Sequence, residues 1–242
     1  MTDIILGMGE VGSTVYELME GRHFACVGLD ADPARRRNHT GGTVQAPGFL
    51  HVCIPGDIGG FADTVIEHTE AYGPRAVLVH STVRPGTAAT LQGRTDMPVV
   101  SSPARGVHRR FMEDMVRYTK FVACDVDISA DVRAGIQERF AKVQWMSSTR
   151  VLEMAKILTD TTYYGWLINY AQITQMICQR EKIDYDEMWT FAEEIHTYLG
   201  NRPKMFPGVI GGHCVIPNLA LIDYEELQAV RTINDAFRRH TA

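Results

Sequence analysis

The first thirty residues constrain the fold more than any other stretch. Ile4-Ile5-Leu6 is a short apolar run that reads as a buried strand. Gly7-Met8-Gly9-Glu10-Val11-Gly12 follows, and Ser13 to Met19 then carries helical spacing with Val15, Leu18 and Met19 inward. A second strand, Phe24 to Leu29, ends at Asp30. A GxGxxG gains meaning from this order of strand, glycine turn, helix, strand and acid. The glycines permit a tight turn and close approach of a pyrophosphate, and the helix start offers free N–H groups. An acid about 20 residues on can accept from ribose hydroxyls. Asp30 favours NAD over NADP, because a 2′-phosphate would meet its charge. Arg35, Arg36 and Arg37 read as a solvated helix face.

Strand and helix patterns continue to alternate. Phe49 to Ile54, Arg75 to His80, Pro98 to Ser101, Lys120 to Cys124 and Val143 to Met146 read as strands. Ile58 to Tyr72, a segment opening near Thr87, and Asp131 to Ala141 read as helices. The alternation predicts a Rossmann-type, doubly wound parallel α/β sheet. Near Ser147 the pattern changes. From Thr149 to Glu181 there is no proline and a single glycine, Gly165, with apolar residues at helical spacing. One helix of that length would span ~50 Å. Tyr163, Tyr164, Trp166 and Tyr170 make it apolar on more than one side, which predicts cover from its own sheet domain and from a second subunit in a homodimer. Asp184 can cap a further helix to Leu199, and a last helix runs from about Asp223 to Arg239. The domains expected are 1–147, dinucleotide-binding, and 148–242, all-α and built on the long helix.

Between those last two helices lies an irregular loop, residues 206–218, in which Cys214 follows Gly211, Gly212 and His213. A thiol beside a glycine pair reads as an attacking group, against the commoner role of a cysteine as a small buried hydrophobe. The other cysteines, Cys26, Cys53, Cys124 and Cys178, are scattered and form no CxxC pair, so no metal site or disulfide framework is expected. Reduced thiols and the lack of a signal-like start predict a cytoplasmic protein. A net charge of −5 gives no basic footprint for nucleic acid or for a membrane surface.

Several segments together carry a resemblance: Gly7 to Gly12; Asp30-Ala31-Asp32-Pro33 with Arg35; Cys53-Ile54-Pro55; Ser81-Thr82-Val83-Arg84-Pro85-Gly86-Thr87; Glu153-Met154-Ala155-Lys156; Ile177-Cys178 with Ile183-Asp184; and Pro207 to Cys214. In this the chain resembles the UDP-glucose/GDP-mannose dehydrogenase family, within the 6-phosphogluconate and β-hydroxyacid dehydrogenase superfamily. The Gly-Gly-His-Cys form is most similar to members that oxidise N-acetylated UDP-sugars. The resemblance implies oxidation of a sugar C6 alcohol to the acid in two NAD-dependent hydride transfers. Cys214 would capture the aldehyde as a thiohemiacetal, the second transfer would leave a thioester, and water would cleave it. It further implies that Lys156 stabilises alkoxide charge and that Thr82 lies near nicotinamide and substrate. Gly7, Met8, Gly9, Glu10, Val11, Gly12, Asp30, Cys53, Ile54, Pro55, Ser81 and Thr82 would hold the cofactor.

The chain departs from the family in three places. Lys156 is followed by Asp160 where the family has asparagine, and Cys214 by Asn218 where it has aspartate, an exchange of acid and amide. Lys156 and Asp160, four apart on one helix face, read as part of the site or as a surface ion pair. Ala104 stands where members often carry the glutamate of the hydrolytic step. Arg105 and His108, with Arg109 and Arg110, form a basic cluster that suits an anionic substrate group or a solvated loop. Gly211, Gly212 and His213 border the substrate in the same reading. The family's C-terminal nucleotide-binding domain is not in these 242 residues. Two alternatives stand beside sugar oxidation: a β-hydroxyacid-type dehydrogenase acting in one hydride step, and a protein that binds NAD without turnover.

Overall fold

The structure is a computed structural model. It describes residues 1–38, 44, 46–201, 203–212, 214–222 and 224–241, without the side chains of His108 and Glu226. The chain divides into two compact units, Met1–Met154 and Ala155–Ala242.

In the first unit β1 (Thr2–Leu6), α1 (Glu10–Gly21), β2 (Ala25–Leu29), β3 (Pro47–Val52), α2 (Phe61–Tyr72), β4 (Ala76–Val79), α3 (Thr87–Gln92) and β5 (Val99–Ser101) follow one another. The strands form one parallel sheet in the order β2-β1-β3-β4-β5. Successive residues pack on opposite faces. Ile5, Phe49 and Leu78 join the α1 side of the core, whereas Ile4, Leu50 and Val77 pack against α2 and α3. Helices on both faces of a parallel sheet are the doubly wound arrangement. The order reverses between β1 and β3, which places the sheet's ligand crevice at their carboxyl ends.

The last two strands depart from a single continuous sheet. α4 (Phe111–Arg117), β6 (Lys120–Val122), α5 (Ala130–Arg139) and β7 (Val143–Trp145) follow, and β6 pairs with β7 in a sheet of two. One antiparallel bridge, Ser101 to Ala123, joins the sheets. Alternating hydropathy sees each strand but not which neighbour it pairs with.

A buried polar line crosses the α5-facing side of the sheet. The Asp3 carboxylate takes both Nε and Nη2 of Arg139, at 2.5 and 2.8 Å, and accepts from the Phe49 N–H at 3.0 Å. The β1–β3 register slips between Thr2 and Ile4, so the side chain replaces a ladder bond lost at the bulge. Gly48 is required there, since a Cβ would lie 2.2 Å from Asp3 Oδ1. From Asp3 the line passes through His51 (3.4 Å) to His80 (2.9 Å) and on to the Lys120 ammonium (3.0 Å). Lys120 also donates to the Ser102 and Pro103 carbonyls, at 2.7 and 3.2 Å. Burial alone would raise the Asp3 pKa, but hydrogen bonds from His51 and Arg139 hold it far below the usual carboxylate range. Burial, then the charges of Lys120 and His51, hold His80 well below the ordinary histidine value of 6.5.

The second unit begins inside the helix expected over 149–181. α6 (Thr149–Ala155) and α7 (Tyr163–Glu181) are joined by a π-helical segment, Lys156–Thr162. Two threonines in it turn back on the helix. Thr159 Oγ1 donates to Ala155 O at 2.8 Å, and Thr161 Oγ1 to Lys156 O at 3.0 Å. Hydroxyls that bind carbonyls of the preceding turn loosen the regular ladder, and the Tyr163 N–H takes Leu158 O, five residues back. α8 (Tyr185–Leu199) starts as expected, with Asp184 Oδ1 accepting from the Glu187 N–H at 2.7 Å. α9 (Val215–Leu219) and α10 (Glu225–Thr241) complete the unit. Among the described residues, no helix is long and apolar enough to cross a membrane.

Asp3→Asn breaks the buried pair and leaves Arg139 charged without its counter-ion. Removal of one partner of such a pair costs about 3–5 kcal/mol, to be read as a lower urea midpoint. Because His80 is neutral in the fold, its contribution is fully present above pH 6.5 and is lost as pH falls below that value. His80→Gln should flatten that part of the melting temperature's pH profile; an unchanged slope would assign it elsewhere.

Candidate functional site

The glycine turn is built by close backbone contacts. Gly7 has φ +92°, and a Cβ on it would lie 2.8 Å from Ile54 N. A Cβ on Gly12 would lie 1.7 Å from Gly7 O. These contacts set the turn after β1 against Cys53-Ile54, at the end of β3. Ser81 Oγ reaches across from β4 to the Ile54 carbonyl at 2.6 Å. Gly56 lets Thr82 approach, since a Cβ there would meet Thr82 O at 2.2 Å. The structure therefore gathers the residues expected at the cofactor, Gly7 to Gly12, Cys53 to Pro55, Ser81 and Thr82, at the carboxyl ends of β1, β3 and β4.

Gly9 differs from its neighbours. It caps α1 with φ −71°, its own side of the turn is open, and nothing lies within 4 Å of where a Cβ would stand. No side chain caps α1, whose first internal bond runs from Ser13 N to Gly9 O. No side chain closes off this first turn, the condition that suits a pyrophosphate. Asp30 Oδ2 accepts from the Met8 N–H at 2.7 Å and Oδ1 from the Asp32 N–H at 2.9 Å, which leaves lone pairs for a ribose hydroxyl. The residues present fit a dinucleotide. The three arginines beyond Asp30 are not one solvated helix face. Arg35 pairs with Asp32, Arg36 Nε donates to Asp30 O, and Arg37 lies over the Tyr16 ring and bridges to Gly28.

Within the second unit the helix that follows Cys214 lies against the lysine segment. Cys214 is the N-cap residue of α9, so the loop gives way to helix directly after the thiol. α9 packs against the π segment that carries Lys156 and Asp160. Lys156 Nζ and Asp160 Oδ2 are 2.5 Å apart, with the lysine mostly buried and the aspartate about one-third exposed at 38%. The lone glycine of the long helix now has a reason. A Cβ on Gly165 would lie 2.8 Å from Val215 Cγ1 and 3.2 Å from Val230 Cγ1, so its absence seats α9 on α7. Asn218 is half-buried one turn along α9, and its N–H donates to Cys214 O at 3.2 Å.

The five thiols are not equivalent, and none is in a disulfide. Burial pushes Cys26 and Cys53 up to about 12 and also raises Cys124. Cys178 is 1% exposed in the second unit. Cys214 is half-buried at a helix start. Among the described residues, no three His, Cys, Asp or Glu groups converge as metal ligands.

The basic residues near Ser102 take separate partners. Arg105 stacks over Tyr118 and Phe121, and Arg110 pairs with Asp114 at 3.2 Å. The His108 side chain and His213 lie outside the described residues. Gly211 and Gly212 are exposed, Gly212 with φ +72°. Ala104 is buried, held by its N–H on His80 O at 2.9 Å. Glu153, singled out in the sequence only by resemblance, accepts from the Gly86 and Ala88 N–H groups at 2.6 and 2.9 Å and so caps α3. The His80–Lys120 pair was missed altogether; the one available signal was a histidine ending an apolar strand.

No family model matches the chain, and no curated protein matches it. Solved structures do. The UDP-D-ManNAc dehydrogenase of Pyrococcus horikoshii aligns with 98% of this chain and 69% of its own, at 17% identity and a TM-score of 0.76. The fold is one these dehydrogenases share. The UDP-N-acetyl-mannosamine dehydrogenase of Staphylococcus aureus aligns with all of this chain and 69% of its own, at 18% identity and a TM-score of 0.72. The 3-hydroxyisobutyrate dehydrogenase of Mycobacterium tuberculosis aligns with 98% of this chain and 93% of its own, at 13% identity and a TM-score of 0.68.

Gly165→Ala adds a methyl against two stiff valines. Overpacking costs about 1–3 kcal/mol, offset by about 1 kcal/mol of helix propensity, so a net loss of about 1 kcal/mol is expected in chemical denaturation. A gain in stability would show that α9 does not rest on this glycine.

Proposed function

We propose that the chain is an NAD-dependent dehydrogenase that oxidises a CH–OH group of a sugar or nucleotide sugar, with Cys214 as covalent nucleophile. The observation that carries this is the packing of α9, which Cys214 caps, on the segment bearing Lys156 and Asp160. The open, uncapped start of α1 beside Asp30 supports the cofactor. Gly7 to Gly12, Asp30, Cys53 to Pro55, Ser81 and Thr82 would hold NAD, which supplies the hydride acceptor. Two UDP-sugar dehydrogenases among the structural neighbours support the substrate class.

In this reading the Lys156 ammonium stabilises negative charge developing on the substrate oxygen, and Asp160 orients it. The Cys214 thiolate adds to the aldehyde carbon; the C=O π pair moves to oxygen and takes a proton, giving a thiohemiacetal. Asn218 presents an amide one turn from the thiol. Ala104 offers no carboxylate for hydrolysis of an acyl thioester, so another group would have to activate that water. NADP binding has support from a neighbour solved with NADP+. Exposed Tyr163, Tyr164 and Tyr170 on α7 support a homodimer through the 149–181 helix, which light scattering would detect. A cytoplasmic location completes this reading.

A second reading has its own observation. The 3-hydroxyisobutyrate dehydrogenase is matched over 93% of its length, which suits a single hydride step on a small hydroxy acid. NADH formation across sugars, nucleotide sugars and hydroxy acids separates the two. Cys214→Ala is expected to lower acid formation from a sugar alcohol at least about a hundredfold, and an unaffected rate would remove Cys214 as the nucleophile. Gly9→Ala meets no protein atom within 4 Å. It should leave the melting temperature unchanged while weakening calorimetric NAD binding about tenfold or more. Undiminished binding would place the cofactor elsewhere.

A further inference from the structure

Three buried amides in the second unit have no part in the chemistry above. Asn169 and Gln172 lie one turn apart on α7, and Asn234 faces them from α10; each is at most 1% exposed. Asn234 holds Ile210 twice. Its Oδ1 accepts from the Ile210 N–H at 2.7 Å, and its Nδ2 donates to Ile210 O at 3.1 Å. Gln172 Nε2 donates to Gly208 O at 2.7 Å and to Asn234 Oδ1 at 3.1 Å. Asn169 Nδ2 donates to Gln172 Oε1 at 2.8 Å and to Val230 O at 3.3 Å. Each amide is thus oriented by the next.

What they hold is the approach to Cys214. Residues 203–211 are neither helix nor strand, yet Ile210 is 5% exposed. A buried peptide group with no ladder needs another partner, and one side chain here supplies both partners for Ile210. Beyond Cys214 the chain is seated again, by Val215 and Leu219 in the apolar cluster with Ile210 and Val230. Gly211, Gly212 and His213 are all that separates the clamp from the thiol.

We propose that Asn234 and Gln172, oriented by Asn169, are positioning residues that fix Cys214 through the backbone of Gly208 and Ile210. The thiol is held from both sides, by hydrogen bonds on its N-terminal side and by apolar packing on the other. Its importance for turnover rests on Cys214 being the nucleophile of the proposed reaction; its effect on the thiol does not.

The deciding variant is Asn234→Leu, which keeps the branched shape of the side chain but can make neither bond to Ile210. Iodoacetamide alkylation across pH, located by peptide mass mapping, reads Cys214, with buried Cys178 reporting whether the unit stays folded. Asn234→Leu should change the Cys214 alkylation rate at least about threefold and move its pH profile toward that of an unconstrained thiol. The kcat should fall about tenfold with KM within about twofold, as for loss of placement rather than of binding. Amide exchange across 207–212 should speed up about tenfold or more. A folded variant with the wild-type rate and profile at Cys214 overturns the proposal. If Cys178 becomes reactive, Gln172→Met, which loses the bonds to Gly208, Asn234 and Asn169 but leaves both Asn234 bonds to Ile210, is read by the same criteria. Rapid exchange of the Ile210 amide in the wild type overturns the clamp whatever the variants do. If the wild type forms no NADH but Asn234→Leu still alters Cys214, the clamp stands and the dehydrogenase reading fails.

Discussion

The first unit depends on one buried ion pair. Asp3 and Arg139 stand 136 positions apart, and their contact ties the first strand to α5. The same carboxylate takes the Phe49 N–H where β1 and β3 slip in register. Those two strands flank the reversal in strand order, and the pair secures the end of them opposite the Gly7 and Cys53-Ile54 turns. Arg139 itself lies between the Phe24 and Phe49 rings, with centroid distances of 4.2 and 4.4 Å. A guanidinium stacked on rings and paired bidentately loses least by leaving water. From Asp3 the polar line through His51 and His80 ends on the carbonyls of Ser102 and Pro103. The loop after β5 is therefore held from inside the core.

Both units meet the same difficulty, irregular backbone near a site, and meet it with side chains. Glu153 takes two N–H groups at the start of α3, and Asn234 takes both peptide groups of Ile210. Burial raises the Glu153 pKa, and the bonds from Ala88 and Gly86 oppose that rise. A carboxylate suits a helix start, where only donors need satisfying, whereas an amide suits a strand-like residue that offers a donor and an acceptor. The choice of residue type follows from which backbone groups are left over.

Local pattern revealed much of this. The seven strands among the described residues and the cap at Asp184 follow from periodicity and residue type, because burial alternates along strands and capping acts within one turn. The glycine turn was legible because its constraint is steric and nearby. What escaped depends on distant partners. Asp3, His51 and Lys120 look like interruptions of apolar strands until three-dimensional pairing joins them. Asn169 and Gln172 look like polar positions on a long helix until α10 brings Asn234. The separate β6–β7 sheet is a question of pairing, which hydropathy does not encode. The π segment escaped because one extra residue in a turn leaves the apolar spacing almost unchanged.

That segment has a geometric consequence. An α-helix advances about 100° in azimuth per residue, and a π turn lodges one residue more than the regular turn. Residues after Thr162 are therefore shifted in phase against Lys156, compared with a regular helix. Beyond the offset Gly165 meets Val215 of α9, while Asn169 and Gln172 meet α10 and the loop. With one residue fewer in the segment, the azimuths of lysine and amides could not both be kept. The irregular turn works as an angular spacer, and its length is part of the address of every side chain beyond it.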